Sequence, residues 1–82
     1  MAPEYTYNHH AVGWFNEEQL TQDPILKFLE PNPRLPEAMY DIASLFASLA
    51  SDILDKCPRS PERTVAFRKL LEAKDCAVRS ML

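Results

Sequence analysis

The sequence predicts an all-α protein: an antiparallel two-helix hairpin, preceded by an aromatic-rich N-terminal arm with a short helix, that assembles into a helical homo-oligomer. Gly13 is the only glycine among 82 residues, whereas β-hairpin turns and phosphate-binding loops both require glycine. Two stretches of about 21 residues, after Pro36 and after Pro61, lack glycine and proline and fit helices roughly 30 Å long. We assign residues 1–35 to the arm and 36–82 to the hairpin, with helices at about 36–56 and 61–81.

The arm contains two predicted helical turns. Asn16 precedes two acids and Gln19, which is the pattern of a capping box. Asp23 is followed by Pro24 and is predicted to cap a second short helix that stops before Pro31. Most aromatic side chains of the protein lie in this arm: Tyr5, Tyr7, Trp14, Phe15 and Phe28.

The first long helix is predicted to be amphipathic. Its large apolar residues recur at spacings of three and four, while serine and aspartate occupy the opposite side. We expect this stripe to face the core. It comprises Met39, Ile42, Phe46, Leu49 and Ile53, and it is widened by Ala43, Ala50, Leu45 and Leu54.

The second long helix begins with a strong start signal and carries more apolar surface than a hairpin can cover. Ser60 is a predicted N-cap, followed by Pro61 and Glu62. Small residues on one side would let the first helix approach closely, and a second apolar stripe lies about 100° away. We expect the arm and another subunit to cover this second stripe. The first stripe is Ala66, Leu70, Ala73 and Ala77, three of which are alanines, and the predicted oligomer interface is Phe67, Leu71, Val78 and Leu82.

Charge and composition exclude several classes of function. The net charge is −3, with six bases but only three acids in residues 59–82. This balance argues against duplex nucleic acid as a ligand and leaves a small anionic ligand possible.

No apolar run is long enough to span a membrane, so the expected location is the cytoplasm. We predict no metal, cofactor or catalytic centre: the two histidines are interpreted as solvated, and Cys57 and Cys76 as small buried hydrophobic residues.

The candidate ligand-binding residues combine aromatic rings with cations. Tyr5 and Tyr7 could stack on a base, and the helix that begins after Ser60 has free backbone amides that can hold an anion. In the other interpretation, which spacing alone favours, the bases pair with acids of the first helix and the tyrosines attach the arm to the hairpin. The candidate phosphate contacts are Arg59, Ser60, Arg63 and Lys69, and Arg63 has the further alternative of a structural role at the turn.

Residues 57–73, with the sequence CPRSPERTVAFRKLLEA, resemble the second-helix signature of the small phage proteins known as anti-CBASS cyclic-nucleotide sponges. The family pattern is roughly C-P-x-S-x-E-R-[ST]-x-A-x-x-K-L-x-E-A, and every specified position is met. Residues 5–9, YTYNH, are similar to the aromatic-x-Tyr-His start of the family. Its members are helical hairpins that form symmetric oligomers, commonly hexamers.

The resemblance implies a non-enzymatic function. Family members bind cyclic di- or trinucleotides between protomers and withhold these signals from host immune effectors without cleaving them. It therefore implies a phage sponge in the host cytoplasm, with an even number of identical subunits. Ala43 and Ala47 stand where members carry bases, which leaves open whether binding is lost or redirected, and the bases and ring size of the ligand are also open. The alternative is a structural or protein-binding helical oligomer with no nucleotide ligand.

Overall fold

The computed structural model describes residues 13–82, and all regular secondary structure in this range is helical. The all-α class is therefore confirmed. Tyr5 and Tyr7, two predicted ligand contacts, lie outside the described residues. The four helices in the described range are α1 (Glu17–Gln22), α2 (Leu26–Leu29), α3 (Glu37–Lys56) and α4 (Pro61–Arg79).

The short helices of the arm follow their predicted signals only in part. The capping box of α1 is present: Asn16 Oδ1 accepts from the backbone N–H of Gln19 at 2.8 Å, and Gln19 Oε1 accepts from that of Asn16 at 2.9 Å. The predicted cap of α2 is wrong, because α2 begins at Leu26 without a side-chain cap. Asp23 instead ends α1, and its buried carboxylate is used elsewhere.

The two long helices are connected by residues 57–60 and make the most extensive helix–helix contact in the described chain. Ser60 is the N-cap of α4, with its hydroxyl accepting from the backbone N–H of Arg63 at 3.1 Å, and Pro61 is the first helical residue. Helix α2 packs against both α3 and α4. The described part of the arm, residues 13–35, therefore lies against the pair of long helices.

The buried side of α3 follows the predicted stripe in part: Met39, Ala43 and Ala50 are buried and Phe46 and Ile53 pack against the core cluster, whereas Leu49 is exposed. Three alanines and a methionine are its buried residues, whereas Leu45 and Leu49 are 65% and 47% exposed. Alanine side chains are short, so a helix packed against them can approach more closely than one packed against leucine. The buried residues are Met39, Ala43, Ala47 and Ala50. On α4, by contrast, Ala73 is exposed, so the small residues at the centre of the fold belong to α3.

Phe67 corrects the predicted oligomer interface. Its side chain has no exposed surface and packs in a core cluster with Phe15, Leu26 and Leu29 of the arm. The arm therefore covers the centre of the second apolar stripe of α4, and Phe67 has no surface to offer to another subunit. Of the other three predicted interface residues, Leu71 and Val78 are partly buried and Leu82 is 92% exposed.

Both cysteines are exposed, contrary to the sequence-based expectation. Cys57 lies in the link after α3, where the chain turns at the surface. Cys76 follows Phe67 by nine residues, which on an α-helix places the two on opposite sides. In the described range, no helix is both long and apolar enough to cross a membrane.

Candidate functional site

Arg63 lies at the centre of the predicted phosphate-binding cluster, and its guanidinium contacts three parts of the protein. Nη2 donates to Asp23 Oδ2 at 3.0 Å, and Nη1 donates to the carbonyl oxygen of Cys57 at 2.9 Å. The guanidinium carbon also lies 5.6 Å from the ring centroid of Phe67. The side chains of the ion pair are only 8% (Arg63) and 7% (Asp23) exposed.

These contacts give Arg63 a structural role. A phosphate would have to displace the Asp23 carboxylate, and the displaced carboxylate would remain buried without a cation, which costs several kcal/mol. Arg63 connects the end of α1, the link and the first turn of α4. The geometry therefore supports a structural role for Arg63 at the turn rather than a phosphate contact.

Arg59 and Lys69 are the predicted phosphate contacts that face solvent. Arg59 is exposed and donates only a long hydrogen bond, 3.4 Å, to the carbonyl of Gln22. Lys69 has a 71% exposed side chain and lies 4.0 Å from the Glu72 carboxylate on the same helix. Ion pairs between exposed side chains are worth at most about 1 kcal/mol. A ligand can therefore recruit either cation at little cost.

The structure groups Arg59, Ser60 and Arg63 at the link and places Lys69 farther along α4. Lys69 lies six positions after Arg63, which is a rise of roughly 9 Å along a helix. The Ser60 hydroxyl is occupied by the backbone N–H of Arg63. The candidate site in one protomer is therefore an open surface rather than an enclosed pocket.

A second basic cluster, which the sequence did not predict as a site, lines a groove between α2 and α4. The groove has a volume of about 380 Å³. Its basic side chains are Lys27, Lys74 and Arg79, and the ring of Phe28 beside them is 61% exposed. The two helices are far apart in sequence, so only the fold brings these residues together.

Glu30 is a structural residue that sequence reasoning missed. Its Oε2 accepts from the backbone N–H groups of Trp14 and Phe15 at 3.1 and 3.3 Å. Gly13, just before them, has φ +89°, and a Cβ there would lie 3.2 Å from the same Glu30 oxygen. The sequence indicates a turn here through the glycine just before two aromatic residues. No sequence pattern identifies Glu30 as the acceptor for the backbone N–H groups of Trp14 and Phe15.

The residues described by the structure contain no group of three or more histidine, cysteine, aspartate or glutamate side chains that could hold a metal ion. Residues 13–82 form a small all-α protein, in which two long helices pack together and residues 13–35 pack against them.

No protein-family model, curated protein or solved structure significantly matches the chain. Any more specific class therefore rests on the residues themselves.

Proposed function

We propose that this protein is a non-enzymatic phage sponge that binds a cyclic di- or trinucleotide immune signal in the host cytoplasm and so blocks CBASS-type defence. The observation that carries the proposal is the resemblance of residues 57–73 to the second-helix signature of the anti-CBASS sponges. In the structure this segment comprises the link, with Ser60 as the N-cap, and the first two-thirds of α4. No cofactor enters the proposal.

In this proposal, Arg59 and Lys69 contact the phosphates and Tyr5 or Tyr7 stacks on a base. Contacts between a cation and a phosphate are charge-assisted and roughly twice as strong as neutral hydrogen bonds. Arg63 holds the link in place without touching the ligand, because its guanidinium is already bonded to Asp23 and Cys57. Each subunit thus supplies an open half-site.

Enclosure of the ligand requires a second copy of the chain. A sponge has to compete with an effector for its ligand, which demands a site that buries most of the ligand surface. Two subunits related by twofold symmetry supply each contact twice, which suits a ligand with its own twofold axis. We therefore propose a homo-oligomer with an even number of subunits, the hexamer being the common form in the family that the signature resembles.

The interface that we propose for this oligomer is the α3 stripe, defined as Ile42, Leu45 and Leu49. Leu45 and Leu49 are large and exposed, and none of the three packs against the core cluster. Helix α3 carries four acids and one base, whereas α4 carries five bases and three acids. The acidic α3 of one copy therefore complements the basic α4 of another copy, which favours a second copy as the occupant of the stripe.

The ligand proposal is tested by calorimetry with a panel of cyclic di- and trinucleotides. We expect one member to bind and to be recovered chemically unchanged after the protein is denatured. Arg59→Gln and Lys69→Gln should each weaken binding about 10- to 150-fold, since a charge-assisted contact contributes about 1.5–3 kcal/mol. Arg68→Gln, which removes an exposed base of the same helix, is the matched control and should bind normally. No heat with any member of the panel would overturn the sponge proposal.

The oligomer proposal is tested by light scattering. Leu49→Glu should reduce the assembly to a folded 9.4 kDa protomer, because a carboxylate cannot be buried in an apolar interface without a partner. Val65→Glu is the matched control, since Val65 is 46% exposed and Leu49 is 47% exposed. A wild-type protein that is monomeric, or a Leu49→Glu variant that keeps the wild-type mass, would contradict the proposed interface.

The second candidate function is a structural or protein-binding helical oligomer. It is favoured by the exposed leucines of the α3 stripe and by the use of Arg63 inside the protomer. The two experiments separate the candidates, because a stable oligomer that gives no heat with the nucleotide panel would support this function and contradict the sponge.

A further inference from the structure

We propose that the groove between α2 and α4 is a binding site for a nucleoside monophosphate, in which the base stacks on Phe28 and the phosphate is held by Lys27 and Arg79. These three residues line one groove of about 380 Å³. That volume falls within the roughly 300–1,000 Å³ typical of small-molecule sites. The site is separate from the cluster at the link and does not depend on the sponge proposal.

The charges of the groove favour an anion. Two acids also line it, but each is already engaged: Glu30 accepts from two backbone N–H groups, and Asp75 lies 3.5 Å from the Lys74 ammonium. Within residues 13–82, Lys27 has no ion-pair partner, and Arg79 has only a 3.5 Å contact with Cys76 Sγ. Two cations at the groove are therefore uncompensated and available to a phosphate, which can accept from a guanidinium with two oxygens.

The apolar part of the groove favours a planar base. Phe28 is on a four-residue helix and has 61% of its surface exposed, although its neighbours Leu26 and Leu29 are fully buried. An exposed ring can stack on any nucleobase, because every base has an aromatic face. Side chains of Leu35 and Val78 supply further apolar lining.

The position of Phe28 relative to α4 is fixed by Lys74. The ammonium of Lys74 donates to the carbonyl oxygen of Phe28 at 2.6 Å, and its side chain is only 14% exposed. This hydrogen bond ties the end of α2 to the helix that carries Arg79. The ring and the guanidinium are thus held on two connected elements before a ligand arrives, which reduces the ordering cost of binding.

The proposal is tested by NMR titration of the full chain with adenosine monophosphate, adenosine and inorganic phosphate. We expect adenosine monophosphate to shift the backbone amide signals of Phe28 and Arg79 and to bind at least tenfold more tightly than either fragment. Phe28→Ala and Arg79→Gln should each weaken binding about tenfold, in line with the loss of one stacking or one charge-assisted contact. Both residues are exposed, so neither change should unfold the protein.

Matched variants distinguish this site from the one at the link. Arg59→Gln and Arg68→Gln remove exposed bases that do not line the groove and should leave the affinity for adenosine monophosphate unchanged. Equal affinities for adenosine monophosphate and adenosine would overturn the proposed phosphate contacts. Signal shifts confined to the link, or an equal loss of affinity in Arg59→Gln, would also overturn the proposed location.

Discussion

The ion pair of Arg63 and Asp23 is nearly excluded from water, which determines its energetic role. Both side chains are less than a tenth exposed. Replacing a buried pair by apolar groups is often neutral, but removing one partner leaves a charge without compensation. The pair therefore favours the observed position of Asp23 beside the link, because separating the two side chains would leave each charge buried without its partner.

Arg63→Met is expected to destabilise the protein by about 3–5 kcal/mol, because it leaves the Asp23 carboxylate buried without a cation. Urea unfolding monitored by circular dichroism measures this loss. Arg59→Gln is the control, and its loss should stay within about 0.5 kcal/mol, since the residue is exposed. A loss below about 1 kcal/mol for Arg63→Met would mean that the pair contributes no more than a surface pair.

Gly13→Ala tests the positive φ at the start of the described chain. The left-handed conformation costs an L-residue roughly 1–2 kcal/mol, and the new Cβ would lie 3.2 Å from Glu30 Oε2. We expect a decrease in melting temperature of about 4–16 °C, at 4–8 °C per kcal/mol for a domain of this size. An unchanged melting temperature would show that the backbone at Gly13 adapts to a Cβ without cost.

Local signals at the residue scale were predictable, and long-range partners were not. The caps at Asn16 and Ser60 depend on residues three positions apart, so the sequence indicates them directly. The Arg63–Asp23 contact spans 40 residues, and its geometry exists only after the arm docks. For the same reason Asp23 was mistaken for a helix cap.

At the scale of the elements, glycine-free and proline-free stretches indicated both long helices. The first was expected at about 36–56 and runs from Glu37 to Lys56, and the second was expected at about 61–81 and runs from Pro61 to Arg79. The positions of the large residues of α3 predicted its buried side only in part: Met39 is buried and Phe46 and Ile53 pack against the core cluster, whereas Leu49 is exposed. Packing favoured the alanine side because two other elements have to approach it closely.

Phe67→Ala is expected to cost about 3–5 kcal/mol, since a fully buried aromatic side chain would leave a cavity between α4 and the arm. Chemical denaturation of the isolated variant measures the loss, and Leu45→Ala provides a control at an exposed position. We expect Phe67→Ala to weaken the protomer itself. If Phe67→Ala kept the wild-type free energy of unfolding but changed the oligomeric state, Phe67 would have to be assigned to the subunit interface instead.

At the scale of the whole molecule, the distribution of exposed apolar surface predicts that assembly and stability are linked. Association stabilises the folded state by mass action, so the melting temperature of an oligomer rises with protein concentration. We expect this rise for the wild type and a concentration-independent melting temperature for Leu45→Glu. Scanning calorimetry over a hundredfold concentration range makes the comparison. A wild-type melting temperature that does not change with concentration would contradict self-association.

The link between the long helices also affects the order in which the chain folds. Contacts between α3 and α4 close a loop of only four residues at their nearest point, whereas the Asp23–Arg63 pair joins residues 40 apart. Short loops close faster and at a lower entropic cost. We therefore expect the long helices to associate before the rate-limiting barrier and the arm to dock after it. Asp23→Ala would then accelerate unfolding and leave the refolding rate nearly unchanged in stopped-flow chevron measurements.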